Sequence, residues 1–197
     1  MFAFTVLPVA LAASALAMPA VLNARQDPCT ALGVGATSSL DYNFKLTVIN
    51  PSVTNDPTYT GAPLALVSGD SNGLWWLKTA SGDFSGWTLE KGALIPTPSS
   101  PDTGLVGSDM PVSAGSIVEF AVTNNGSANA GAGQTPYCAV SDAGGNATLT
   151  VNGDGNSFSV CQTPSLAWVL VYSASSDNGG AYTYDSCTKQ PVHLVQA

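Results

Sequence analysis

Short runs in which apolar and polar residues alternate, each ended by Gly or Pro, recur along this 197-residue chain. The clearest example spans residues 84–96, where Trp87 and Leu89 fall on one face and Leu94 resumes that face after a polar turn. A period of two places successive side chains on opposite faces of a strand, and Gly92 supplies the backbone freedom that a tight turn needs. The stretch therefore predicts a β-hairpin.

The same pattern returns at residues 147–161. Leu149 and Val151 alternate, residues 152–155 (NGDG) form a turn sequence, and alternation resumes with Phe158 and Val160. We predict a second hairpin here.

The fold class follows from the whole chain. No segment keeps apolar residues at helical spacing, and Gly or Pro intervenes at roughly 8–12 residue intervals. The sequence therefore predicts a single all-β domain, residues 41–197, of about ten to twelve short antiparallel strands. We expect a β-trefoil-like barrel rather than a Greek-key sandwich, because the trefoil repeats the strand, tight Gly turn and strand of the two hairpins.

Three predicted strands carry most of the expected core. Phe44, Leu46 and Val48 share one face of the first strong strand, and Val118 and Phe120 do so in another, with Glu119 on its opposite face. Residues 166–173 (LAWVLVYS) are almost continuously apolar, which is typical of a strand buried on both faces.

The N-terminus predicts a secretory signal peptide, residues 1–20, which are small and apolar and carry small residues before several candidate cleavage sites. We expect the mature chain to begin between Met18 and Gln26, followed by a lead-in segment, residues 21–40. No second apolar span follows, so we expect a secreted protein with no membrane anchor, outside the cell or in the cell wall.

Charge narrows the possible partners. The chain has 13 acidic and 5 basic residues, a net charge of −8, and only 9 % of its residues are charged. A nucleic-acid partner is not expected, because phosphates require Lys and Arg. Docking on anionic lipid is disfavoured for the same reason.

Four cysteines in a secreted chain predict two disulfides. We favour Cys161–Cys187 with Cys29–Cys138, and the alternative pairs Cys138 with Cys161 and Cys29 with Cys187. The cysteines lack the close spacing of a zinc site, so no metal is expected.

No catalytic residues and no cofactor are predicted. His193 is the only histidine, and we interpret it as an ordinary residue of an edge strand. Residues 69–73 (GDSNG) match the serine-hydrolase elbow, but the strand-like LWWLK follows instead of a helix. Most acidic residues lie in turn sequences, where Asp caps its own backbone, and this also explains the calcium-loop-like NGDGN at 152–156.

One pair of aromatic residues suggests binding. Trp75 and Trp76 are adjacent on a predicted strand, so their rings point to opposite faces. One can belong to the core, and the other either faces solvent, where it could stack on a sugar, or is buried under a loop. Asp70 and Asn72, in the preceding turn, would hydrogen-bond its hydroxyls. Cell-wall polysaccharide or another glycan is thus the candidate partner.

Asn125 and Asn146 each begin an Asn-X-Ser/Thr glycosylation motif in which X is not proline, and each lies beside a Gly-rich loop. We predict N-glycosylation at both.

Five stretches resemble small secreted proteins of filamentous and mushroom-forming fungi, including cell-wall proteins of the phialide type. They are GAPLAL (61–66), WTLEKGALI (87–95), SFSVC (157–161), AWVLVYS (167–173) and SCTKQPVHLV (186–195). The resemblance implies an extracellular or wall-associated β-rich domain with no catalytic residues. We therefore expect a non-catalytic, glycosylated extracellular protein. The alternatives are a lectin-like glycan-binding module and a trefoil-type protease inhibitor or effector acting through residues 51–61.

Overall fold

A computed structural model describes residues 28–53, 61–69, 74–80, 82, 84–98, 106–123, 137–141 and 147–197. Within these ranges the protein is all-β, as predicted, with two short 3₁₀ turns, Pro28–Leu32 and Pro51–Val53. The strands are β1 (Ala36–Thr37), β2 (Phe44–Val48), β3 (Ala62–Ser68), β4 (Leu74–Lys78), β5 (Phe84–Glu90), β6 (Ala93–Pro98), β7 (Val106–Asp109), β8 (Glu119–Thr123), β9 (Tyr137–Val140), β10 (Ala147–Val151), β11 (Phe158–Gln162), β12 (Trp168–Tyr172), β13 (Thr183–Lys189) and β14 (Val192–Gln196). The predicted signal peptide, residues 1–20, lies outside the described residues.

Two of these fourteen strands were not predicted. β1 lies in the lead-in segment and pairs with β9, so Ala36 and Thr37 of the lead-in belong to the sheet. β7 shows no apolar alternation. Its backbone packs closely against β6, because Gly107 leaves room for Pro96: a Cβ on Gly107 would overlap the ring of that proline.

The described strands form one antiparallel sheet in the order β1-β9-β10-β14-β2-β5-β3-β4-β12-β11-β13. β6 joins at β5, and β8 pairs with both β4 and β7. This path has two ends, β1 and β13, so the closed barrel that we expected is wrong for the described strands. The described strands do not close because β1 pairs only with β9 and β13 only with β11, so the two end strands do not pair with each other.

The first predicted hairpin is confirmed. β5 and β6 pair directly, with Trp87 opposite Pro96 and Leu89 opposite Leu94. The two-residue turn has positive φ at both positions, 51° at Lys91 and 85° at Gly92. This is the turn whose twist matches a two-residue hairpin, and it explains the need for Gly92.

The second predicted hairpin is wrong. β10 pairs with β9 and β14, whereas β11 pairs with β12 and β13. The turn closes on itself, because the N–H of Val151 donates to the carbonyl of Asp154 at 3.0 Å and the reverse bond is 2.9 Å. The chain then continues from β10 to β11, which lies in another part of the sheet.

The sheet curves around a single main core. The hydroxyl of Tyr172 in β12 donates to the carbonyl of Val151 in β10 at 3.4 Å, although these strands lie five places apart when the direct β2–β3 pairing is followed. A flat sheet would separate them by about 24 Å, so the sheet must bend back on itself. Phe44, Leu46 and Val48 all contribute to this core, as predicted.

A second, smaller cluster lies on the outer face of β12. Leu170 and Tyr172 point into the main core, whereas Val169 and Val171 pack in the second cluster with Trp76 and other residues. The prediction that residues 166–173 contain a strand buried on both faces is therefore confirmed for β12.

The interpretation of His193 needs correction. β14 lies between β10 and β2, with His193 opposite Thr148 on one side and Thr47 on the other. It is a residue of an interior strand, because the last strand of the sequence is inserted between two earlier ones.

Candidate functional site

Two disulfides fix the chain, Cys29–Cys138 and Cys161–Cys187, and this is the pairing that we favoured. The first joins the N-terminal 3₁₀ turn to β9 across 109 positions, and the second joins β11 to the edge strand β13. The described residues include no free cysteine. Such bonds persist in oxidising compartments, which fits an extracellular location.

Trp75 and Trp76 point to opposite faces of β4, as predicted. Trp75 is half-buried against the main core and meets the ring of Phe84 edge-on at 5.7 Å. Trp76 belongs to the second cluster and is only 9 % exposed. Asp70 and Asn72 lie outside the described residues, so the four-residue sugar site stays a prediction.

Trp76 nevertheless lines a groove of about 680 Å³ on the outer face of the sheet. The lining includes Ile117 and Glu119 and residues of two turns, which we call the walls: Pro164 and Ser165 between β11 and β12, and Asn178, Gly180 and Ala181 before β13. Small-ligand sites usually have volumes of about 300–1,000 Å³, so the groove is large enough for a bound small molecule.

Gly69 and Lys78 lie close to the indole of Trp76. A Cβ on Gly69 would overlap the carbonyl of Leu74 and lie 3.0 Å from the indole nitrogen, so only glycine fits there. Lys78 Nζ lies 5.2 Å from the ring centroid and donates to the carbonyl of Ser68 at 2.9 Å. Lys78 itself does not line the groove.

The walls of the groove are held by hydrogen bonds. The hydroxyl of Tyr182 contacts the carbonyls of Gly115 and Ser175 at 3.1 and 3.2 Å, and it accepts from the N–H of Ser175 at 2.9 Å. Asn178 donates to the carbonyl of Ser175 at 3.0 Å and accepts from the N–H of Gly180 at 2.9 Å. These hydrogen bonds hold residues 175–182 against Gly115 beside the groove.

The other wall is the β11–β12 turn. The N–H of Thr163 donates to the carbonyl of Ala167 at 2.8 Å, and the hydroxyls of Thr163 and Ser165 are 2.9 Å apart. Next to this wall, Leu166 has a φ of 65° and is 72 % exposed. A bulky residue in this conformation is strained, and such strain is concentrated at functional loops.

Glu119 is the site residue that the sequence did not single out. It lies directly opposite Trp76 across the β4–β8 ladder, so the two side chains stand next to each other on one face. The alternation in residues 116–124 placed Glu119 away from the core, but only the strand pairing reveals its neighbour.

In the turn at 152–156, the carboxylate of Asp154 is hydrogen-bonded by residues close to it in sequence. The carboxylate of Asp154 accepts from the hydroxyl of Ser157 and from the N–H of Asn156. These hydrogen bonds, that of Ser157 above all, hold the pKa of Asp154 below its usual value. The described ranges contain no cluster of three or more His, Cys, Asp or Glu able to hold a metal ion.

A buried polar pair lies in the main core, away from the groove. Asp109 accepts from the N–H of Leu94 at 3.2 Å, and burial, with the charge of Asp109, raises the pKa of Tyr137. Both side chains are almost fully buried, 3 % and 0 % exposed. The arrangement connects strands and offers no access to a ligand.

The two predicted glycosylation sites, Asn125 and Asn146, lie outside the described residues. None of the described helical segments is long and apolar enough to cross a membrane. No protein-family model, curated protein or solved structure matches this chain.

Proposed function

We propose that the protein is a secreted, non-catalytic component of the extracellular space or cell wall, and that its outer groove binds glycans. The observation that carries this proposal is the groove itself, with Trp76 in its lining and polar groups in its walls. The two disulfides support the extracellular location. We also propose that Asn125 and Asn146 are N-glycosylated and that the protein is related to fungal wall proteins of the phialide type.

The chemistry of the groove suits a sugar. Trp76 and Ile117 give an apolar surface for the hydrophobic face of a pyranose ring. Ser116 and Asn178 supply hydrogen-bonding groups whose positions are fixed by their other bonds. A rigid polar wall binds hydroxyls without the entropy loss of ordering a loop.

Binding of purified, secreted protein to a panel of soluble oligosaccharides and insoluble polysaccharides tests the proposal. Ala181 is exposed and lines the groove, so Ala181→Trp should fill it and abolish binding while leaving the melting temperature nearly unchanged. Trp168→Ala is the control, because Trp168 is 43 % exposed and does not line the groove. Absence of binding across the panel, or unchanged binding by Ala181→Trp, would reject a glycan function for this groove.

Sequencing the N-terminus of the secreted material tests the location. We expect it to begin between Met18 and Gln26, and recovery of Met1 would contradict secretion through a cleaved signal. The inhibitor or effector alternative depends on residues 51–61, of which 54–60 lie outside the described residues. No described contact favours it.

A further inference from the structure

Two polar side chains of the groove keep unused hydrogen-bonding capacity. The hydroxyl of Ser116 donates to the carbonyl of Ser113 at 2.7 Å and accepts from its N–H at 3.1 Å, which leaves one acceptor position. Asn178 keeps one acceptor position and one N–H after its two bonds. Together they offer two acceptors and one donor to a ligand.

Glu119 adds a negative charge to these acceptors. Among the described residues, no side chain forms an ion pair with its carboxylate, and none donates a hydrogen bond to it. Lys78, whose Nζ lies 5.2 Å from the Trp76 ring, donates to the carbonyl of Ser68 instead. An ionised carboxylate is an acceptor only, so it is best matched by a group that has donors and a positive charge.

Trp76 stands next to Glu119 in the sheet and favours the same kind of ligand. An aromatic face attracts cations and also stacks on sugar rings. The whole chain carries a net charge of −8, which attracts positively charged ligands over a longer range.

We propose that the groove selects sugars that carry a protonated amine, namely glucosamine-containing oligosaccharides, with Glu119 binding the ammonium group beside Trp76. This inference rests on the proposed glycan-binding function and adds the class of sugar. A basic peptide is disfavoured, because the groove lies on a sheet face and not along an open strand edge where an extended peptide could pair.

Titration calorimetry with three oligosaccharides of equal length tests the inference: β-1,4-linked glucosamine, its N-acetylated form, and the corresponding glucose oligomer. The measurement is made at about pH 5.5, so that the amine of the sugar carries its proton. We expect the glucosamine oligomer to bind at least about tenfold more tightly than the other two. We also expect Glu119→Gln to remove that preference while leaving affinity for the N-acetylated oligomer within about twofold.

Glu90→Gln is the matched control. Glu90 is the only other glutamate, it is exposed on β5, and its substitution changes the net charge by the same amount. We expect it to preserve the preference. If Glu119→Gln does not fold, the same titrations are repeated on the native protein with added salt. Salt should weaken binding of the glucosamine oligomer several-fold and leave binding of the N-acetylated oligomer unchanged.

The outcomes separate the two proposals. Equal affinity for the three oligosaccharides, or an unchanged preference in Glu119→Gln, overturns the inference and leaves glycan binding in place. Binding of a lysine hexapeptide as tight as that of the glucosamine oligomer also overturns it, because the groove would then recognise any cation. Absence of binding to all three oligosaccharides rejects the proposed function itself.

Discussion

Trp87 is the largest fully buried side chain of the main core, and its ring lies 5.3 Å from that of Phe120. We expect Trp87→Ala to lower the free energy of unfolding by about 3–5 kcal/mol, because it removes a large buried ring and leaves a cavity. Glu90→Ala, on the exposed face of the same strand, should cost less than about 1 kcal/mol. Denaturant unfolding of the two variants measures the difference, and a Trp87→Ala protein as stable as the native one would contradict the assignment of this ring to the core.

Asp154 should make stability depend on pH in acid. Its pKa is lower in the folded protein, so the hydrogen bonds of its carboxylate stabilise the fold above the ordinary pKa of aspartate, about 3.9. This stabilisation is lost as the pH falls through the folded value. We expect Asp154→Asn to be less stable than the native chain at neutral pH, with the difference shrinking below about pH 4.

Melting temperatures of both proteins across the acid range check this prediction. Asp177→Asn is the control, since Asp177 is exposed and no described residue donates a hydrogen bond to its carboxylate. A gap between native and Asp154→Asn proteins that stays constant from neutral pH to strong acid would refute it.

At the scale of elements, local patterns predicted local structure well. The 84–96 hairpin was predicted correctly because its register is fixed by a two-residue turn and by neighbouring alternation. The hairpin predicted at 147–161 was wrong because both strands find better partners elsewhere: β10 beside β14, and β11 beside β12. Alternation shows which face of a strand is apolar, but it does not show which strand lies next to it.

The candidate site illustrates the same limit. The adjacent tryptophans revealed that one ring faces away from the main core, and Trp76 does. The residues around it come from distant parts of the sequence, including Glu119 on β8 and Asn178 in the loop before β13. Their proximity depends on strand order, which the sequence did not predict.

The two disulfides should contribute unequally to stability. Cys29–Cys138 closes a loop over 109 positions and Cys161–Cys187 one over 26. The chain-entropy relation gives about 5 and about 3.5 kcal/mol, respectively, for the restriction of the unfolded chain. We expect the double variant Cys29→Ala/Cys138→Ala to be the less stable of the two alanine pairs in denaturant unfolding. The reverse order would show that local contacts around the β11–β13 bridge outweigh loop closure.

At the scale of the whole molecule, the two hydrophobic clusters share strands. β12 sends alternate side chains into both, and β4 does the same with Leu77 and Trp76. We therefore expect one cooperative unfolding transition, because the outer cluster cannot melt while its strands remain in the sheet. Far-UV circular dichroism and tryptophan fluorescence should give coincident curves, and an earlier fluorescence transition would indicate that the outer cluster unfolds alone.

The interior position of β14 leaves two strand edges dependent on a segment that is distant in sequence. β14 follows the other described strands in chain order, yet it pairs with β2 on one side and β10 on the other. Until residues 192–196 pair, these edges of β2 and β10 lack their partner and are open to other chains. Insertion of β14 thus protects the middle of the sheet against association with a second molecule.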